Sequence, residues 1–188
     1  MGKSHRGIGT SLMIVCALVG AGPFPSTSPA HAAEPETFAV ARFDYKDTSG
    51  EPQDQTAEHE ARVAAFATRI GENLTGEGVY DLVELDCLGT EECSLETLGG
   101  KKLLAAAQRA EADYLVFGSI QKMSTLVGWG RIDVLDVAKD RILFDRVISF
   151  RGDNDAAFER AADFVSKDIV RTLAEPEEGA QAAERGIR

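Results

Sequence analysis

Apolar positions along the chain change their period several times, and each change marks an element. Residues 12–21 form one unbroken apolar run, far short of the roughly 20 residues that span a bilayer. Residues 37–43 (TFAVARF) are apolar at both alternations, the pattern of a central strand covered by helices on both sides. The Asp, Thr, Ser, Gly and Pro of residues 44–53 then predict a surface loop. Over residues 54–74 the period becomes helical. Val63, Phe66, Ala67, Ile70 and Leu74 share one face, while Glu58, Arg62, Arg69 and Glu72 point outward. Gly76 and Gly78 supply the stop. Residues 79–85 alternate around Val79, Val83 and Leu85 and predict a second, more exposed strand.

A cysteine-bearing loop over 86–94 leads into a helix that runs to about Glu111, with Leu103, Leu104, Ala107 and Ala110 inward. Ser94 or Thr97 can cap it, and Gly99 with Gly100 can delay its start. Residues 113–120 are the most apolar run beyond residue 32 and predict the middle of the sheet. Two β-rich stretches, 126–137 and 141–150, are joined by a short turn at 138–140. Asp153, Asn154 or Asp155 can cap a last helix whose Phe158, Ala161, Val165, Ile169 and Leu173 share a face. From about Glu175 the chain is acidic and Gly/Ala-rich without a period, a flexible tail over 175–188.

The order β-α-β-α-β-β-β-α predicts an α/β fold in three layers. Helical crossovers make the first three strands parallel, and short turns make the last three antiparallel neighbours. A mixed five-stranded sheet in order 2-1-3-4-5 satisfies both, with strand 4 antiparallel and helices on both faces.

Lys3 and Arg6 precede the first apolar run, and Ala30-His31-Ala32 follows it as a small-x-small site. That order is a secretory signal peptide over residues 1–32, cut between Ala32 and Ala33. It predicts an exported protein, periplasmic or secreted, with a single domain over 33–174 and no membrane span in the mature chain. Cys16 could be read as a lipid-attachment cysteine, but Val15 stands where a small residue is needed. The full chain carries a net charge of −11, and losing the basic leader makes the remainder more acidic. Such a balance argues against nucleic acid or anionic lipid as a partner.

Cys87 and Cys93 form an even pair in a compartment that permits disulfides. A structural disulfide is expected over two alternatives. A redox pair usually shows a tighter C-x-x-C, and a zinc site needs two more ligands. His59 is the one histidine beyond the leader, so no metal site and no cofactor are expected.

The segment ADYLVFG at 112–118, a helix end followed by an apolar strand closed by glycine and then a hairpin, resembles the N-terminal domain of the TolB family. It is also similar to envelope domains of the curli-secretion and lipoprotein-activator kind. More closely, FDYKDTS at 43–49, QKMSTL at 121–126 and RGDND at 151–155 resemble small exported bacterial proteins classed as domains of unknown function, DUF2380 and DUF3280. With the cysteine pair, the likeness spans roughly residues 38–172. It implies export and this fold, and brings no activity. The TolB-like likeness implies envelope protein–protein contact, without the propeller that completes TolB.

Ligands of open α/β sheets sit beyond the carboxyl ends of parallel strands, near the point where strand order reverses. That rim collects Asp44, Lys46 and Asp47 after strand one and Asp86 after strand two. Lys122 and Ser124 follow strand three, and Arg151 and Asp153 follow strand five. Carboxylates beside Lys and Arg could bind a small polar ligand, a peptide end or, with less support because no regular Asp spacing appears, calcium through oxygen ligands, although the same residues also cap loops. Gly99-Gly-Lys-Lys102 lacks the spacing of a nucleotide loop and is expected to be a helix entry. Trp129, between Gly128 and Gly130, is either an exposed partner-binding aromatic or cross-strand cover for those glycines. No Ser/His/Asp or Cys/His set can be built, so no catalytic residue is nominated. The expected function is a non-enzymatic interaction module of the cell envelope whose protein partner contacts the sheet rim or an exposed edge strand, the second or the fifth. The alternative is a small polar-ligand binder at the rim.

Overall fold

The structure, a computed structural model, describes residues 34–76, 78–89 and 93–174. The predicted leader with its predicted Ala32/Ala33 cut, and the predicted tail over 175–188, lie outside the described residues. The elements follow in the order β1 (Glu36–Val40), β2 (Asp44–Asp47), α1 (Thr56–Thr75), β3 (Tyr80–Leu82) and α2 (Leu95–Leu98). Then come α3 (Gly100–Arg109), β4 (Tyr114–Ser124), β5 (Val127–Asp136), β6 (Arg141–Arg151) and α4 (Asp155–Ala174).

Five strands form the path β3-β1-β4-β5-β6, the order expected from the connections. β1 pairs in parallel with β3 and β4, while β5 runs antiparallel to both β4 and β6. A sixth strand, β2, lies where a loop was expected and pairs in parallel with β4. Val40 stands opposite Val116, but Asp44 stands opposite Ser119, so one extra residue is accommodated between the two pairings. β1 and β2 are thus one strand broken by a bulge. Asp and Lys at three of its four positions are poor strand formers, which hid it.

Alternation along the strands loads the two faces separately. On one face Phe38, Val116, Ile120, Ile132, Phe144 and Ile148 pack with α1 and α4. The predicted inward stripes supply the other half of that core: Val63, Phe66, Ile70 and Leu74 from α1, and Phe158, Ala161, Val165 and Ile169 from α4. On the second face Ala39, Leu115, Phe117 and Leu135 pack against Leu103, Ala106 and Ala107 of α3. Helix α3 has 10 residues, a length of about 15 Å. The 11 residues of β4 run about 36 Å. One short helix therefore covers less than half of that face.

Several local expectations change. The second strand shrinks to Tyr80–Leu82, with Tyr80 turned inward against Phe38 at 4.9 Å between rings and Val79 54% exposed. Gly76 stays right-handed, and it is Gly78, at φ 67°, that takes the left-handed turn after α1. Ser94 caps α2 by accepting the Thr97 N–H, and Gly99, at φ 80°, separates α2 from α3. Asn154 caps α4 through Oδ1, which accepts the Ala157 N–H at 3.0 Å.

Cys87 and Cys93 form a disulfide across a separation of 6 residues. Cys93 is completely buried beside the α3 core, so the bridge pins the loop between β3 and α2. Closing so short a loop contributes about 2.4 kcal/mol in the chain-entropy treatment. We expect Cys87→Ser with Cys93→Ser to lower the denaturation midpoint accordingly. Thiol labelling of the unreduced, denatured protein should find neither sulfur reactive.

Candidate functional site

Lys122 lies near the end of β4 and points to the α1/α4 side of the sheet, where it is 4% exposed. An ammonium taken out of water needs close anionic partners. The loop after β2 and the start of α4 supply them. Nζ donates to Glu51 Oε2 at 2.7 Å and to Gln55 Oε1 at 2.8 Å. It also reaches Asp153 Oδ2 at 2.8 Å and Asp47 Oδ2 at 3.9 Å. Burial alone would lower the lysine pKa, but hydrogen bonds from Nζ to Asp153 and Glu51 outweigh it and raise the value above its ordinary one.

Asp153 is the hub of this cluster. Besides Lys122 it faces His59 Nε2 at 2.7 Å and accepts from Arg62 Nη1 at 3.1 Å. Arg62 Nε continues to Asp155 at 3.0 Å. His59 is 1% exposed, with Nδ1 2.8 Å from the Gln55 carbonyl and its ring stacked on Tyr45 at 5.1 Å. Both imidazole nitrogens therefore face oxygen acceptors. Burial pushes the Asp153 carboxyl up, yet the hydrogen bonds from Lys122 and His59 hold it below the usual carboxylate value. The Tyr45 hydroxyl is pushed up to about 12, first by burial and then by the Asp47 charge.

This cluster ties α1, β4, the loop after β2 and the start of α4 to one carboxylate. The cavity among Tyr45, His59, Lys122, Gly128, Phe150 and Asp153 is about 10 Å³. That is about one water probe, far below the several hundred Å³ of a ligand cleft.

Of the predicted rim, Asp47, Lys122 and Asp153 come together. Asp44 does not: it lies on the other face of β2, and its Oδ2 accepts the Glu96 N–H at 3.0 Å. Odd and even residues of a strand point to opposite faces, so Asp44 and Lys46 are directed away from Tyr45 and Asp47. Ser124 is spent in the hairpin turn, accepting the Leu126 N–H at 3.3 Å. Arg151 is exposed opposite Val127 and takes no part. Asp86 pairs with Arg109 at 2.8 Å instead. Glu51, Gln55, His59 and Arg62 were not predicted. His59 had a legible cue, since it stands four residues before Val63 and extends the inward stripe of α1 by one turn.

The half of the second face beyond α3 has a different character. Register places Lys46, Gln121, Trp129 and Ser149 in one row across β2, β4, β5 and β6. The next row is Asp44, Ser119, Arg131 and Val147. Trp129 is half-buried, Met123 is 54% and Val147 52% exposed, and Leu126 at the hairpin tip is 68% exposed. The glycines beside Trp129 are explained on the opposite face. A Cβ on Gly128 would lie 2.5 Å from the Phe150 ring, and one on Gly130 2.9 Å from Ile120. Phe150 and Ile120 thus cover the glycines, and Trp129 does not.

Among the described residues, no helix is long and apolar enough to cross a membrane. No curated protein matches the chain. Among solved structures, it is similar to the PelC dodecamer from Paraburkholderia phytofirmans at 13% identity and TM-score 0.46, covering 79% of this chain and 93% of that one. It is similar to TolB from Acinetobacter baumannii at 14% identity and TM-score 0.47, covering 75% of this chain and 29% of that one. The chain therefore spans under a third of the TolB chain's length. The LpoB C-terminal domain from Salmonella enterica matches at 14% identity and TM-score 0.38, covering 61% of this chain and 81% of that one. Residues 36–170 match the family DUF3280, described as "Protein of unknown function (DUF2380)", and the chain belongs to that family.

Proposed function

We propose that this chain is an exported, non-enzymatic protein of the bacterial cell envelope, and that it acts as a protein-interaction module. The leader pattern, the small-x-small site before Ala33 and the disulfide support export. The observation that carries the interaction reading is the uncovered half-face of β4, β5 and β6. Trp129, Val147 and Met123 give it apolar area, and Lys46, Arg131 and Arg151 give it a polar border. An aromatic anchor inside a polar rim is the usual anatomy of a protein interface. The far edge of β6 pairs with no strand among the described residues, so the face continues into open backbone.

A small polar ligand at the rim finds less support, because Lys122 and Asp153 are consumed by each other and by their neighbours. Affinity-tagged protein recovered from gently solubilised envelopes should carry a stoichiometric protein partner. Trp129→Glu should remove that partner while the protein stays folded, its thermal midpoint lowered by only a few degrees, since Trp129 is half-buried at the sheet surface and a typical substitution costs about 1 kcal/mol. A partner retained by Trp129→Glu, or a protein that stays in the cytoplasm with its leader uncut, would refute the reading.

A further inference from the structure

We propose a second binding surface, separate from the Trp129 face. A groove between α1 and the loop that follows β3, floored by the bend from β1 into β2, takes an extended segment of a partner protein in which basic and apolar residues alternate.

The groove arises from how the sheet edge ends. Among the described residues, β3 pairs only with Glu36–Phe38 of β1. Beyond Val40 the chain bends through the bulge into β2, and among the described residues no strand pairs with the edge of β2 that faces away from β4. α1 continues above this unpaired stretch. The space left is about 780 Å³, inside the range of clefts that hold ligands. Its α1 wall runs from Thr56 to Thr75, about 28 Å at 1.5 Å per residue. That accommodates an extended segment of roughly eight residues.

The chemistry of the lining selects the segment. Val40 belongs to the floor and Ala67 to the α1 wall, and Leu82 and Leu88, 48% and 36% exposed, complete the apolar lining. The carboxylates of Glu60 and Glu72 line it from α1 and that of Glu84 from beyond β3, while Asp44 and Glu96, joined by the Glu96 N–H at 3.0 Å, complete the acidic lining. Glu72 also pairs with Arg69 at 3.8 Å, and Arg42, the one cation of the lining, has an interaction of its own. Glu60, Glu84 and Glu96 are exposed and form no ion pair among the described residues. Like charges around a low-dielectric trough repel one another, and a cationic occupant relieves that repulsion. A strand laid beside β2 would gain main-chain hydrogen bonds, with alternate side chains directed to the apolar floor and to the acidic wall. An acidic or purely apolar segment would satisfy only half of this lining.

The test uses the full exported chain and two blocked peptides of about eight residues, one alternating lysine with valine and the other glutamate with valine. The lysine peptide should bind, with amide shift changes confined to Val40–Tyr45 and the groove side of α1. The glutamate peptide should not. Raising the salt from low to about 0.5 M should weaken binding roughly tenfold. Glu84→Lys with Glu96→Lys should weaken it by a similar factor, and Glu60→Gln by less. Trp129→Glu should leave it unchanged, so loss of the envelope partner and loss of peptide binding are separable results. Equal binding of both peptides, shifts mapped to the Trp129 face, no binding at all, or a groove closed by a second copy of this chain in sedimentation would each overturn the proposal.

Discussion

Lys122→Met is expected to destabilise the protein by about 3–5 kcal/mol, the cost of removing one partner from a buried charge pair. At this chain size that lowers the thermal midpoint by roughly 10 °C or more. The methionine fills the space of the lysine stem, so the loss reflects the missing ammonium. Without it the carboxylates of Glu51 and Asp153, which both contact Nζ at under 3 Å, are left facing each other with Asp47 beside them. Urea denaturation should show the midpoint falling while the slope is kept, the sign of a stability change without a change in the surface exposed. Adding Asp153→Asn to Lys122→Met should recover part of the loss, because residues of one network are not additive.

The pH dependence of the same cluster has a definite sign. Asp153 is held below its ordinary carboxylate value in the folded protein, so its contribution is complete above about pH 4. It is lost as pH falls through the native value. Lys122 is raised above its ordinary value, so its contribution is complete below about pH 10 and is lost as pH rises through the native one. A midpoint-against-pH curve should therefore be flat between, fall on the acid side, and fall less steeply there in Lys122→Met. An acid limb unchanged by the substitution would mean that other carboxylates carry it.

Gly118→Ala is expected to be at least as damaging, at about 3 kcal/mol or more, through a different mechanism. A Cβ there would sit 2.1 Å from the Arg131 carbonyl oxygen and 2.9 Å from the Phe43 ring. The carbonyl belongs to the neighbouring strand, where Arg131 is paired with Ser119, so it cannot withdraw without opening the β4–β5 ladder. Gly128→Ala makes the instructive contrast. Its Cβ meets the tip of the Phe150 ring at 2.5 Å, and that ring, half-buried against Phe158, is the far end of a side chain that can shift where a ladder carbonyl cannot. A cost of about 1–2 kcal/mol follows. Soluble yield and denaturation midpoints of the two variants check the order. Gly118→Ala milder than Gly128→Ala would contradict it.

These glycines show where a sequence is legible. Helix stripes and strand order could be read because burial imposes a period, and Val63, Phe66 and Ile70 announce their face directly. The hub of the charge cluster was half legible. Asp153 and Lys122 follow strands that topology brings to one end, but His59 and Arg62 reach them from a helix 94 and 91 residues earlier than Asp153. Nothing local encodes that meeting. Asp44 was misplaced for a simpler reason: once residues 44–47 form a strand, alternation sends it to the opposite face. The uncovered half-face was invisible because it depends on α3 being shorter than the strands beneath it, a relation between distant segments.

A photo-crosslinking residue placed at Ser149 in cells that keep their envelope intact measures the interaction most directly. Ser149 lies beside Trp129 on the bare half-face, and the same probe at Glu159, exposed on α4, serves as the comparison. One discrete protein adduct at Ser149, absent at Glu159 and abolished by Trp129→Glu, is the predicted result. The same adducts at both positions, or none at Ser149, would contradict the assignment of that face to a partner.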